Sequence, residues 1–231
     1  MKPKDILFLL LFSAIFVPFF VLDAAYEGFL YFNHHYPLLM SFFKFALLAT
    51  VGEALGLRIK AGVYNRKGFG LLPRAFVWGV IGLSIKLAFT VFLYRNAGFS
   101  GKPVWDFQGA QQALAGPLSF SKIAVAFAVS TAMNLIFAPV MMTFHKITDT
   151  HILNNGGTLR GFFSPLPLGN IIKNLNWEVQ YHFVFKKTIP LFWIPAHTIT
   201  FLLPVDFQVL FAALLGIMLG VILAIASLMS R

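Results

Sequence analysis

The sequence predicts an all-α, polytopic bundle of about six transmembrane helices, with a further amphipathic helix at the membrane surface. Three observations carry that expectation. Of the 231 residues 58% are hydrophobic, only 11% are charged, and the apolar residues gather into segments near the ~20 residues that cross a bilayer. An ordinary soluble domain carries about a quarter charged residues, so a water-soluble core has no room for this excess. No long Ser- or Pro-rich linker interrupts the segments, and residues 1–231 read as one transmembrane domain.

Six segments approach the crossing length: residues 6–22, 37–57, 73–94, 121–144, 188–204 and 207–229. The first resembles a signal peptide, with Lys2 and Lys4 ahead of an apolar run, but Pro18 and Asp23 suit a retained helix better than a cleavage site. The fifth carries Pro190 and Pro195 and ends at Pro204. Proline removes a backbone donor, so this segment is expected to kink or to re-enter. The fourth loop ends in a stripe, Ile171, Leu175, Val179 and Phe183, opposite Lys173, Glu178 and Gln180, which suits either an interfacial amphipathic helix or one that caps the bundle.

Orientation follows from Lys and Arg, which accumulate in cytoplasmic loops. Arg58, Lys60, Arg66 and Lys67 put the second loop inside. Alternation then puts Lys2, Lys4, Lys146, Arg160, Lys173, Lys186, Lys187 and Arg231 inside as well, with both termini cytoplasmic. The loops 23–36 and 95–120 face the other side and hold the aromatic anchors Tyr26, Tyr31 and Trp105. The net charge of +10 thus reads as loops against anionic lipid headgroups, not as a nucleic-acid surface, since no basic stripe with stacking aromatics is present. The chain has no cysteine, which excludes disulfides, thiolate metal sites and cysteine nucleophiles.

Ionisable groups in a bilayer cost roughly 2.5–3.5 kcal/mol each on insertion scales and so face the bundle interior or a wet cavity. Glu53, roughly 6 Å deep on the second segment, matches Arg74 at the start of the third, with Arg58 as competitor. The pair either fixes two helices or serves as a gate. Lys44 and Lys86 lie about 9 and 12 Å below the opposite face, where they either snorkel or line an anion-tolerant cavity. Asn134 and His197 fall near the midplane, with Ser130 and Thr200 one turn away, as a polar seam between helices or along a pore. Gly52 with Gly56, and Gly216 with Gly220, have the spacing that lets helices approach, within one chain in preference to a dimer. His145, Asp149 and His151 sit close enough for a metal, but at a helix end facing water, and no metal or cofactor is expected. Paired intramembrane carboxylates, His-Glu-x-x-His, Gly-x-Ser-x-Gly and phosphate-cradling glycine loops are missing, so no catalytic residue is assigned.

Trp193 and Pro195, then Thr200-Phe201, then Pro204 with Gln208, then Leu219-Gly220 and Leu223-Ala224 follow the order of a known signature. Upstream, Gly52-Glu53 and Arg74 with Gly79 and Gly82 extend it, so that it spans residues 48–227. The pattern resembles the family of small membrane proteins typified by the twenty-two-kilodalton peroxisomal membrane protein and its mitochondrial relative Mpv-seventeen, as a distant, bacterial-type member. Where that family has Arg, Asn and a second Trp, this chain has Gln208, Gly220 and Leu219. The resemblance implies a pore-like or small-solute permeability role. A structural or assembly factor and a membrane-embedded enzyme acting on lipid are the rival classes. The expected setting is a bacterial cytoplasmic membrane, or otherwise an organelle inner membrane, with lipid as the one partner and no particular oligomeric state.

Overall fold

A computed structural model describes residues 3–94 and 107–229, and all regular structure among them is helical. Trp105, Lys2 and Arg231, used above for loops and orientation, lie outside the described residues. The chain divides into two units, residues 1–40 and 41–231.

The first unit holds α1 (Pro3–Phe16), α2 (Pro18–Val21), α3 (Asp23–His35) and the first turn of α4. The crossing expected over 6–22 is therefore not one continuous helix. Pro18 has no N–H with which to extend α1, and Leu22 turns extended at φ −129°. Fourteen residues make α1 about 21 Å long, short of a ~30 Å hydrocarbon layer. The expected loop 23–36 is also helical. Asp23 opens α3 and His34 and His35 close it, so each favoured charge sits at its end of the helix dipole.

α4 (Pro37–Ala61) runs on into the second unit, followed by α5 (Leu71–Tyr94), α6 (Phe107–Ala115), α7 (Phe120–Asn154), α8 (Leu159–Phe162) and α9 (Leu168–Asn174). A π-helix over Val179–Trp193 passes directly into α10 (Ile194–Leu202), and α11 (Val205–Met229) follows. Among the described residues three helices are long and apolar enough to cross a membrane, α4, α5 over Leu71–Phe92, and α7. α11 has 25 residues and is apolar over Val205–Val221. Ser119 caps α7 by accepting from the Lys122 N–H at 3.2 Å, and the helix continues ten residues past its expected end, to Asn154.

The proline-rich fifth segment is helical without a break from Val179 to Leu202. Its wide turns take i→i−5 bonds, as from the Ile194 N–H to the Ile189 carbonyl, so the donor missing at Pro190 is absorbed within an already loosened ladder. Pro195 stands in the first turn of α10, where proline is tolerated, and Pro204 occupies the turn to α11. The expected amphipathic helix is corrected: Ile171 and Leu175 are buried and pack with Ile147 of α7, the helix stops as Leu175 turns extended, and Val179 and Phe183 are exposed.

Beside an apolar core, polar groups are buried and large apolar side chains are exposed. Lys44, Arg74, Ser130, Asn134, His197, Thr200 and Gln208 are buried, whereas Phe43, Leu87, Leu135, Ile136 and Val140 are exposed. That pattern suits a surface wetted by hydrocarbon. The glycine pairs meet each other. A Cβ on Gly52 would stand 2.8 Å from the Ile217 Cα and 3.1 Å from the Gly216 carbonyl, so α4 and α11 cross in backbone contact. α4 meets α5 through Gly82, where a Cβ would stand 2.7 Å from that of Phe45. Ala138 of α7, Ile189 and Trp193 of the π-helix, Ala196 of α10 and Leu215 of α11 form one apolar cluster.

Candidate functional site: an internal cavity with a charged mouth

The ring formed by α4, α5, α7, the π-helix with α10, and α11 surrounds a cavity of about 490 Å³, within the ~300–1,000 Å³ range of small-molecule sites. Its lining runs from Phe45 to Lys60 on α4 and from Met133 to Asp149 on α7, about 22–24 Å of helix at 1.5 Å per residue. Between its ends the wall is apolar, with Leu57, Met141, Phe137 and Leu219 among its members.

At one end the cavity meets the charged cluster. Arg74, 5% exposed, forms ion pairs with both Glu53 and Asp149. Its Nε–H donates to the Phe69 carbonyl at 2.8 Å, and its guanidinium lies 4.4 Å from the Phe69 ring centre. Glu53 also accepts from Trp78 Nε1–H at 2.7 Å and from His145 Nε2–H at 3.3 Å. Helical spacing explains the convergence: Arg74 and Trp78 are one turn apart on α5, as are His145 and Asp149 on α7, so two helix faces close on one carboxylate. Arg58 instead donates to the Gly62 carbonyl at 2.6 Å and lies over Tyr64. Lys60, Arg66 and Lys146 complete the mouth; all three are exposed, and among the described residues none has an acidic partner.

At the other end lies the polar seam. Ser130 Oγ–H donates to the Ile194 carbonyl at 2.7 Å, and Asn134 Nδ2 donates to the Ser130 carbonyl at 2.8 Å and to Ser130 Oγ at 3.3 Å. With its amide hydrogens so engaged, Asn134 presents Oδ1 to His197 Nδ1–H at 3.1 Å. The His197 ring stacks on Trp193, 5.2 Å between centres, and meets the edge of Phe89 at 6.0 Å. Thr200 does not join the seam: its hydroxyl donates to the Ala196 carbonyl of its own helix.

Lys44 and Lys86 do not line this cavity, although their sequence neighbours Phe45 and Ile85 do. The cavity that joins the charged and polar groups runs from Glu53 to His197 and leaves Lys86 outside. Asp206, which the sequence reading passed over, interacts electrostatically with Lys44 and Lys86. Trp78, His145 and Asp149 are likewise members of the site that the sequence did not single out as such. The metal reading of His145, Asp149 and His151 meets other bonds: Asp149 holds Arg74, and His151 Nε2–H donates to the Phe162 carbonyl at 3.0 Å while its Nδ1 accepts from Asn155. No group of three or more metal-ligating side chains occurs among the described residues.

The signature positions scatter through the frame. Gly52 forms the helix crossing, Trp193 and Phe201 are buried, Pro195 is exposed, Pro204 is in a turn, and Gln208 ties that turn by donating to the Leu203 carbonyl at 3.1 Å. No family model, curated protein or solved structure matches the chain.

Proposed function

We propose that the chain is a multi-pass membrane protein that admits a small neutral or anionic solute into its helical ring and forms part of a permeability pathway. The observation that carries this is the cavity, to which every long element of the second unit contributes a wall. At the mouth four cations, Lys60, Arg66, Lys146 and Arg74, face two carboxylates, Glu53 and Asp149, a positive excess that favours anions over cations. The positive-inside rule assigns this mouth to the cytoplasm, with α4, α5, α7, π–α10 and α11 alternating in direction. The resemblance to the Mpv-seventeen family adds to the same reading.

The test is solute flux into proteoliposomes. Glycerol entry above that of protein-free vesicles is expected, as is an anion preference that falls when Lys60, Arg66 and Lys146 are all replaced by Gln. Vesicles that remain as tight as lipid alone sink the pathway. The structural reading has its own support in the Ser130–Asn134–His197 seam, whose bonds tie α7 to α10. It gains if the protein is inert to every solute while Asn134→Leu destabilises it.

A further inference from the structure

The cavity keeps charge at one end and hydrocarbon along the rest. Lys60, Arg66 and Lys146 are exposed at its mouth and, among the described residues, have no acidic partner, because the two acids beside them, Glu53 and Asp149, both pair with Arg74. Past that cluster the α7 wall runs from Met142 to Met133, nine residues or about 14 Å at 1.5 Å each. Phe45 and Ala49 of α4, Phe137 of α7 and Ala212 of α11 continue the same apolar surface. Asn134, which also lines this stretch, is engaged on both sides, donating to Ser130 and accepting from His197. A wholly polar solute therefore passes here without partners of its own, and a wholly apolar one draws nothing from the mouth.

A charged head on a single hydrocarbon chain is the complement of both parts. An extended chain advances about 1.3 Å per carbon, from ~1.5 Å bonds at tetrahedral angles, so about 14 Å takes roughly ten or eleven carbons. Volume sets a ceiling as well: a methylene fills about as much space as a water molecule, ~30 Å³, so 490 Å³ holds about sixteen carbons and excludes a second chain of that length. We propose that the cavity binds one medium-chain amphiphile with an anionic head, a fatty acid or an alkyl phosphate, its head among Lys60, Arg66 and Lys146 and its chain along α4 and α7 toward Met133. Bilayer hydrocarbon is as apolar as this wall, so the chain by itself has no reason to leave the lipid; the three cations supply the preference. This names the solute class for the cavity and rests on the reading that a solute enters it, but binding and passage are separate properties and can be measured apart.

The experiment uses the full chain in phosphatidylcholine nanodiscs, photolabelled with dodecanoates that carry a diazirine beside either the methyl end or the carboxylate and read by peptide mass spectrometry. The methyl-end probe is expected to mark Met133, Phe45 and Ala212, and the carboxylate-end probe Leu57 and Met142. Partition into lipid alone marks instead the exposed side chains Phe43, Leu135, Ile136 and Val140. Unlabelled dodecanoate should compete with the inner marks about tenfold better than dodecanol, since exposed ion pairs are individually weak and three together amount to about that factor. The triple variant Lys60→Gln, Arg66→Gln, Lys146→Gln changes exposed side chains alone and should weaken the inner marks by a similar factor while leaving the outer ones as they are. Marks on the outer side chains alone, the same inner marks from both probes, or dodecanol competing as well as dodecanoate overturn the site. Inner, carboxylate-dependent marks in protein that passes no glycerol uphold the site and defeat the pathway; glycerol flux through protein marked only on its outer face does the reverse.

Discussion

Replacing Arg74 by Met should be among the most damaging single changes in the bundle, and the structure says how the damage divides. The guanidinium is 5% exposed and serves Glu53, Asp149 and the Phe69 carbonyl together. Its removal leaves two carboxylates facing each other without their shared cation, and breaking a buried pair in this way costs about 3–5 kcal/mol. For a domain of this size each kcal/mol lowers Tm by roughly 2–4 °C, so the expected drop is about 6–20 °C. The two acids are not equally stranded. Glu53 keeps donors from Trp78 and His145, whereas Asp149 Oδ1 has no hydrogen bond beyond its ion pair with Arg74. In the Arg74→Met background Asp149→Asn should therefore recover more stability than Glu53→Gln, and the triple neutral variant should be more stable than Arg74→Met alone. Thermal unfolding in detergent, followed by circular dichroism, reads all four proteins. An Arg74→Met protein that melts with the wild type, or equal rescue by the two neutralisations, refutes the reasoning.

Two further changes test the frame around the cavity. Gly52→Ala pushes a methyl group into the backbone of α11 and should cost about 1–3 kcal/mol, whereas Gly216→Ala meets Ala49 at an ordinary 3.6 Å and should be nearly silent; equal melting temperatures for the two would discard the crossing. Asn134→Leu removes the link from α7 to His197 and should cost about 1–2 kcal/mol, with the companion Ser130→Ala costing no more than that, since interhelical bonds in membranes rarely exceed this range. A melting curve for Asn134→Leu unchanged from wild type would show that the seam contributes nothing to stability.

Much of the site was legible because the membrane makes polar residues rare and therefore conspicuous. Glu53 and Arg74 were matched by depth along antiparallel helices, and Asn134, Ser130 and His197 by their common level, both from the rise per residue alone. The glycine pairs were legible for the same reason: spacing by four residues has one geometric consequence on a helix. Depth, however, says nothing of azimuth. Lys44 and Lys86 share a level with the inner cavity yet do not line it. Asp149 and His145 were read at a helix end facing water, but α7 continues ten residues beyond its apolar stretch and sets them on a helix face opposite Arg74. The stripe from Ile171 to Phe183 misled because a four-residue recurrence assumes one unbroken α-helix, whereas Leu175 turns extended and the chain resumes with π geometry.

That π geometry also bears on how a solute could leave the cavity. Behind His197 the bundle is closed by Phe89 and Phe201, both 2% exposed, with ring centres 5.0 Å apart. Neither lines the cavity, so the space ends on their near side. Passage under the proposed reading requires Phe201 to separate from Phe89, which means moving α10 against α5. Dispersion and ring-edge contacts oppose that at this point. Because Ser130 and Asn134 hold α10 at Ile194 and His197, the π-helix before them does not free Phe201, and any opening is confined to the last turn of α10.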